Sequence, residues 1–205
     1  MVMVPLKVAD VMGSRRILKI DGRQIVLREI ETRDASQFRL FTNSLAREKA
    51  TNPGLFIIDP ERELTGREAK EAVSRMRKAI DAKTMISVAA FDGPRLVGAC
   101  EVYRPKHDEI RHTGLLDIAI LPGHRGIGLG ELMMKETLML ARRSGIWLVE
   151  LRVFATNVPA IRLYEKMGFK RSGLVPDMIK KDGRYIDDVQ MYVDLAHDSP
   201  EAGLW

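Results

Sequence analysis

The chain has 205 residues, 45% of them hydrophobic, with 33 lysines and arginines against 28 acids and a formal net charge of +5. That length fits one domain with a full-sized core, and the single cysteine, Cys100, excludes an internal disulfide. No apolar run approaches the ~18 residues of a membrane-spanning helix, and Pro5, Lys7 and Asp10 interrupt the apolar start, so no signal peptide is expected. The basic balance suits anionic ligands without naming one. Cys100 lies in an apolar strand and reads as a small buried hydrophobe, consistent with a reducing, cytoplasmic setting.

In chain order, Asp21-Gly22 sits between two extended runs, Arg16 to Ile20 and Gln24 to Glu29. Asp and Gly both tolerate positive φ, so the pair predicts a tight hairpin. A helix is predicted over Asp34 to Lys49, with Phe38, Phe41 and Leu45 on one stripe. After the segment Ala50 to Leu64, Thr65-Gly66-Arg67-Glu68 forms a capping box ahead of Ala69, Ala72, Val73, Met76, Ala79 and Ile80. A second hairpin, Ile86 to Phe91 with Leu96 to Arg104, turns at Asp92-Gly93. A strand from Leu115 to Leu121, a helix from Gly130 to Ser144 and a strand from Trp147 to Phe154 make a strand, helix, strand unit. Asn157 caps a further helix reaching Lys166, with Pro159 harmless in the first turn and Gly168 as the stop. A third hairpin, Asp177 to Lys180 with Tyr185 to Val193, turns at Asp182-Gly183, and the polar end Ala196 to Trp205 is expected to fray.

The order β-β-α-α-β-β-β-α-β-α-β-β predicts an α+β fold on a mixed, mostly antiparallel central sheet flanked by helices. Residues 1–22 are read as an N-terminal extension with an extra hairpin arm, 23–195 as the domain and 196–205 as a tail.

The most informative stretch is Pro122-Gly123-His124-Arg125-Gly126-Ile127-Gly128-Leu129-Gly130, four glycines in eight residues at the mouth of a helix. Free N–H groups of a first helical turn favour an anion, and glycine lets a ligand approach the backbone. A glycine-rich turn also serves as a plain strand-to-helix connector, so neighbouring residues must decide. A Walker A loop needs Lys-Ser or Lys-Thr after the last glycine, where Glu131-Leu132 stands. A dinucleotide fingerprint needs another glycine spacing, and Glu150 falls within a strand rather than at its end. The third pattern fits: Arg125 to Gly130 reads R-x-x-G-x-G, and Asn157 to Phe169 reads N-x-x-A-x-x-L-Y-x-x-x-G-F. Together these resemble the acetyl-CoA-binding signatures of the GNAT superfamily of N-acetyltransferases. Lys181 to Asp187 with Met191 is similar, more loosely, to the terminal hairpin of subfamilies that acetylate small amines, amino acids or protein N-termini.

The resemblance implies acetyl-CoA as co-substrate. Its pyrophosphate would lie on the amides of Arg125, Gly126, Ile127, Gly128, Leu129 and Gly130, with the Arg125 side chain adding charge. Ile118, Ala119 and Ile120 would run alongside the pantetheine arm, and an N–H near Ile120 or Leu121 would polarise the thioester carbonyl. Tyr164 would stand near the sulfur as general acid, and Asn157 would touch the cofactor. Without the resemblance, Tyr164 reads as a core residue with its hydroxyl at the edge, and Asn157 as a helix cap.

For the general base, Glu150 is the first candidate, because Glu150 and Arg152 share the polar face of a strand whose other face carries Val149, Leu151 and Val153. A surface Glu–Arg pair explains the same pattern. Asp117, Glu101, His112 and ordered water are the alternatives, and Leu115 stands where related sequences often carry Glu. The acceptor is expected to be a primary amine of a small molecule or amino acid, entering beside Ala50 to Leu64 and the hairpin at Asp182, with Asp59, Glu61 and Glu63 available to a cation. The alternatives are a protein N-terminal or lysine acetyltransferase and a non-catalytic acyl-CoA-binding module. Arg15-Arg16 and the arginines at 62, 67, 75 and 77 alternate with acids, so they read as a solvated face and not as a nucleic-acid surface. His107 and His112 lack metal-ligand spacing, so no metal is expected. The sequence does not fix the oligomeric state; the resemblance adds a homodimer as an option, because members of the family often dimerise, and the extra N-terminal hairpin offers a surface for one.

Overall fold

The computed structural model describes residues 15–49, 62–181 and 183–196. The strands are β1 (Arg16–Ile20), β2 (Arg23–Arg28), β3 (Met85–Asp92), β4 (Arg95–Tyr103), β5 (Thr113–Ile120), β6 (Leu148–Phe154), β7 (Lys170–Lys181) and β8 (Arg184–Asp194). The helices are α1 (Ala35–Lys49), α2 (Gly66–Asp81), α3 (Leu129–Arg143) and α4 (Val158–Lys166). Element order agrees with the sequence reading. All described strands form one sheet, β1-β2-β3-β4-β5-β6-β8-β7, in which only β5 and β6 pair in parallel. The N-terminal hairpin is therefore an edge of the same sheet. Asp59, Glu61 and the rest of 50–61, Asp182, and the two chain ends lie outside the described residues.

Local chemistry explains the element boundaries. Asp21 and Gly22 take the positive φ values, 49° and 73°, that a two-residue hairpin turn requires. Thr65 caps α2 as expected: its Oγ1 accepts from Glu68 N, and Thr65 N donates to Glu68 Oε2 at 2.8 Å. Arg62 pairs with Glu68, and Arg77 with Glu29 and Asp81, so these arginines belong to a charged, partnered helix surface. The third hairpin is longer than predicted, beginning at Lys170 rather than Asp177. β7 is an edge strand, which tolerates Gly173 and Pro176, and two register shifts absorb the irregularities.

The first helix also begins differently, with a 3-10 turn over Thr32–Asp34 leading into α1. Asp34 accepts from Glu31 N at 2.8 Å and holds the Arg28 guanidinium through both oxygens at 2.6 and 2.8 Å, while Arg28 stacks over Phe91. Burial pushes the Asp34 carboxyl up, but Arg28 and the Glu31 N–H outweigh it and hold the group below its usual value. A lowered folded-state value adds stability above the unfolded-state value of about 3.9 and loses it as pH falls further. Asp34→Ala is expected to cost about 2 kcal/mol by removing the two-oxygen partner of Arg28, which keeps only Glu31 at 3.7 Å and the Glu29 carbonyl. Asp34→Asn should make the acid limb of stability shallower, as checked by denaturant unfolding from pH 7 to pH 3.

Alternation along the strands sorts side chains onto two layers. Gly98 and Cys100 face α3: a Cβ at Gly98 would lie 2.9 Å from Met133 Sδ, and Thr137 is hydrogen-bonded to Cys100. The intervening Ala99 and Glu101 consequently face the α1–α2 layer, where α1 packs over β4 and α2 over β3. Cys100 is fully buried and its thiol is pushed up to about 12 by burial, which leaves it unreactive. Among the described residues, no helix is long and apolar enough to cross a membrane.

Candidate active site

The central feature is a split in the sheet. β5 and β6 are parallel neighbours only over Thr113–Leu115 and Leu148–Glu150, whereas β5 continues to Ile120 and β6 to Phe154. Beyond Leu115, each strand presents backbone that the other does not pair.

Which groups of β5 face this split follows from its other edge. Leu121 N donates to Val97 O of β4 at 2.9 Å. Peptide groups alternate sides along a strand, so Asp117 and Ala119 also bond toward β4, while the N–H groups of Ile118 and Ile120 point into the split. Leu121 N–H is thus already committed, and Ile118 and Ile120 carry the available donors. The Ile120 carbonyl is held by Arg125 Nε at 2.7 Å.

At the end of the split β5 enters a 3-10 turn, Pro122–His124, and then the glycine loop. Gly126 and Gly128 have φ values of +73° and +86°, a conformation L side chains resist. A Cβ at either would meet no protein atom within 4 Å. Packing therefore does not require these glycines; the backbone conformation does, and the open space beside it suits an anion. Gly130 differs, since its Cβ would press Leu163 Cδ2 at 3.1 Å and Ile120 Cδ1 at 3.3 Å. It lets α4 and β5 close around the start of α3. Gly128 is the N-cap of α3, so the cradle opens onto the positive end of a 15-residue helix. Successive amides in such a concavity, with α3's unpaired first-turn N–H groups, fit a pyrophosphate.

The cradle is braced from outside. His124 is buried with Nε2 2.9 Å from Asp92 Oδ2, and Arg23 donates to Gly123 O at 2.8 Å. Arg125 N donates to Pro122 O, so the run of available amides begins at Gly126. The Arg125 guanidinium grips both oxygens of Glu48 at the end of α1, the longer contact being 2.7 Å. Its charge is partly spent there. The roles of Glu48 and Asp92 had no local signal, because both lie far from the loop in sequence.

Tyr164 lies on α4, 8% exposed, beside Phe169 on the α3 side of the sheet. Burial, with smaller contributions from Cys100 and Asp117, raises its phenol above the ordinary value, so it stays protonated and able to donate. Asn157 caps α4, its Oδ1 accepting from Ala160 N at 3.3 Å. Glu150 is exposed on β6 at the last position paired with β5. Arg152 does not pair with Glu150: its Nε donates to Asp188 Oδ2 at 2.6 Å, and Asp188 is fully buried. Lys181 Nζ donates to Lys49 O, which brings the last hairpin to the end of α1. Among the described residues, no cluster of three or more His, Cys, Asp or Glu side chains could hold a metal.

Comparisons with known proteins agree with this geometry. The profile described as Acetyltransferase (GNAT) family matches residues 53–169. Streptothricin acetyltransferase of Streptomyces lavendulae is 35% identical over 94 residues, 46% of this chain and 48% of that protein. The L-methionine sulfoximine/L-methionine sulfone acetyltransferase of Salmonella typhimurium is 30% identical over 96 residues, covering 46% of this chain and 56% of its own. The chain spans about half the length of these curated relatives. An acetyltransferase of GNAT family from Streptococcus pneumoniae superposes with a TM-score of 0.72 at 26% identity, over 83% of this chain and 99% of that one. A putative acetyltransferase from Salmonella typhimurium, solved with acetyl-CoA, gives 0.70 at 19% identity over 87% and 99%. With its fold, its split sheet and a profile match across more than half its length, the chain belongs to the GNAT family of acetyltransferases.

Proposed function

We propose that the protein is an N-acetyltransferase moving the acetyl group of acetyl-CoA to a primary amine of a small molecule or amino acid by direct attack. The observation that carries this is the split between β5 and β6 ending in a cradle whose two positive-φ glycines leave open space. In this reading the amides from Gly126 through Gly130 hold the pyrophosphate, and Ile118 and Ile120 bond the pantetheine arm as a further strand would. Arg125, through Ile120 O and Glu48, keeps the strand end and the cradle in register. Asn157 sets the start of α4 so that Tyr164 can protonate the departing thiolate, and Glu150 at the closed end of the split is an exposed carboxylate available to the incoming amine. No residue becomes acylated. Relatives named as acetyltransferases of streptothricin and of L-methionine sulfoximine or L-methionine sulfone support the acceptor class. A reducing, cytoplasmic setting, a homodimer along the exposed β1 edge, and a domain spanning 23–195 complete the reading.

The test is CoA thiol release over panels of amines, amino acids and peptides. Release with small amines or amino acids is expected; a preference for peptides would indicate a protein acetyltransferase, and no release with any acceptor would leave a binding module. Acetyl-CoA at a hundred times its dissociation constant should stabilise the fold by about 2.7 kcal/mol. NADH and ATP should not, as read by thermal melts.

A further inference from the structure

Tyr164 lies on the α3 side of the split, so a proton leaving the amine on the opposite side needs another carrier. On the α1–α2 side, Ser87 of β3 is the register partner of Glu101 of β4, which is in turn the partner of Asp117 of β5. These three side chains form one row on one face. The adjacent row is Tyr103, Leu115 and Glu150, so Glu150 sits where β5 and β6 still pair, while Glu101 and Asp117 sit beside the stretch where β5 has left β6. Tyr103 Oη donates to Glu101 Oε2 at 3.1 Å, fixing the carboxylate. Ser87 is 3% exposed, yet its Oγ has no hydrogen-bond partner among the described residues. A buried hydroxyl without a partner is costly unless a ligand or its water completes it. It stands beside Glu101 on the face turned toward the α1–α2 layer.

We propose that Glu101 is the proton acceptor of the transfer, in a polar pocket completed by Ser87 and Asp117 that receives the acceptor's ammonium group. The proposal rests on the acetyl-transfer reading above. Glu101 takes one proton from the ammonium; the freed nitrogen lone pair bonds to the thioester carbon, and the C–S bond breaks. The thiolate takes the Tyr164 proton, the surplus proton on the new amide nitrogen restores the phenol through solvent, and Glu101 returns its own to water. The sum is ammonium plus thioester giving amide, thiol and one proton.

Electrostatics agree with the geometry. Burial raises the Glu101 carboxyl to about 7, Tyr103's hydrogen bond opposes the rise, and the Asp117 charge adds to it. Asp117 is itself raised by burial. From α1, Arg47 is paired with Glu63, and Glu48 with Arg125. From β6, the same face carries Glu150 and the Asp188-bound Arg152. A base with a value near working pH combines a useful ionised fraction with useful proton affinity.

The experiment is the pH profile of kcat/KM from thiol release, with the best small amine found for the wild type. The wild type is expected to rise through a limb near pH 7. Glu101→Gln should lower the rate by about 10²- to 10⁴-fold and abolish that limb, while retaining the thermal shift given by acetyl-CoA. Asp117→Asn removes a like charge and should move the limb to lower pH; Tyr103→Phe removes a donor to the carboxylate and should move it higher. These opposed shifts carry the test even if Glu101→Gln fails to fold. A limb that stays in place in both variants, or a Glu101→Gln enzyme of wild-type rate, overturns the assignment of Glu101 alone. A wild type that releases no thiol with any acceptor overturns the acetyl-transfer reading, and Glu101 falls with it.

Discussion

Tyr164→Phe is expected to lower turnover by about 10²- to 10⁴-fold while leaving acetyl-CoA affinity nearly unchanged, the range for losing a positioned general acid. The substitution removes one oxygen from a side chain that is 8% exposed and packed against Phe169, so the ring contacts and the position of α4 are retained. What is lost is a proton held in place by burial. An ordinary phenol near 10 already favours the neutral form at pH 7, and the upward shift strengthens that preference. The measurement is single-turnover thiol release beside the acetyl-CoA-dependent melt. Unchanged release would remove Tyr164 from the mechanism; a lost melting shift would make it a structural residue of the cofactor site instead.

Gly128→Val should abolish acetyl-CoA binding. The φ of +86° strains any L residue, at about 1–2 kcal/mol for the left-handed conformation, and more for a β-branched side chain. The isopropyl group would also enter the space beside Gly128 that no protein atom occupies. Gly128→Ala separates the two effects: it carries the ordinary left-handed strain but intrudes less. Without ligand, Gly128→Ala should lose about 1–2 kcal/mol of stability and Gly128→Val more. Valine alone should lose all of the roughly 2.7 kcal/mol of ligand stabilisation at a hundred times the wild-type dissociation constant. A full shift retained in Gly128→Val would show that the pyrophosphate lies elsewhere.

Much of the fold was legible because its signals are local. The Asp21-Gly22 turn, the Thr65 box and the Asn157 cap act through neighbours in sequence, and each appears where such chemistry predicts. The glycine loop was legible for the same reason: positive φ is a property of the residue itself. The start of α1 falls within one residue of the predicted Asp34, whose carboxylate Arg28 of the preceding strand holds. The full length of β7 was missed because Gly173 and Pro176 discourage extended pairing locally, whereas β8 supplies a partner and bulges absorb the mismatch.

The site divides along the same line. The resemblance carried by two short motifs singles out the cradle and Tyr164, since each sits on one loop or one helix. The strand pattern puts Glu150 first as general base and leaves Glu101 and Asp117 among the alternatives. Only the register of the sheet separates them, setting Asp117 on the stretch of β5 whose edge is open, Glu101 next to it on β4, and Glu150 at the closed end. Likewise, nothing near Arg125 announces Glu48, 77 positions away. Conformational preference acts between adjacent residues and can be read along a line. Proton affinity depends on burial and on the charges that folding brings alongside, and those contacts exist only after the strands have chosen their neighbours.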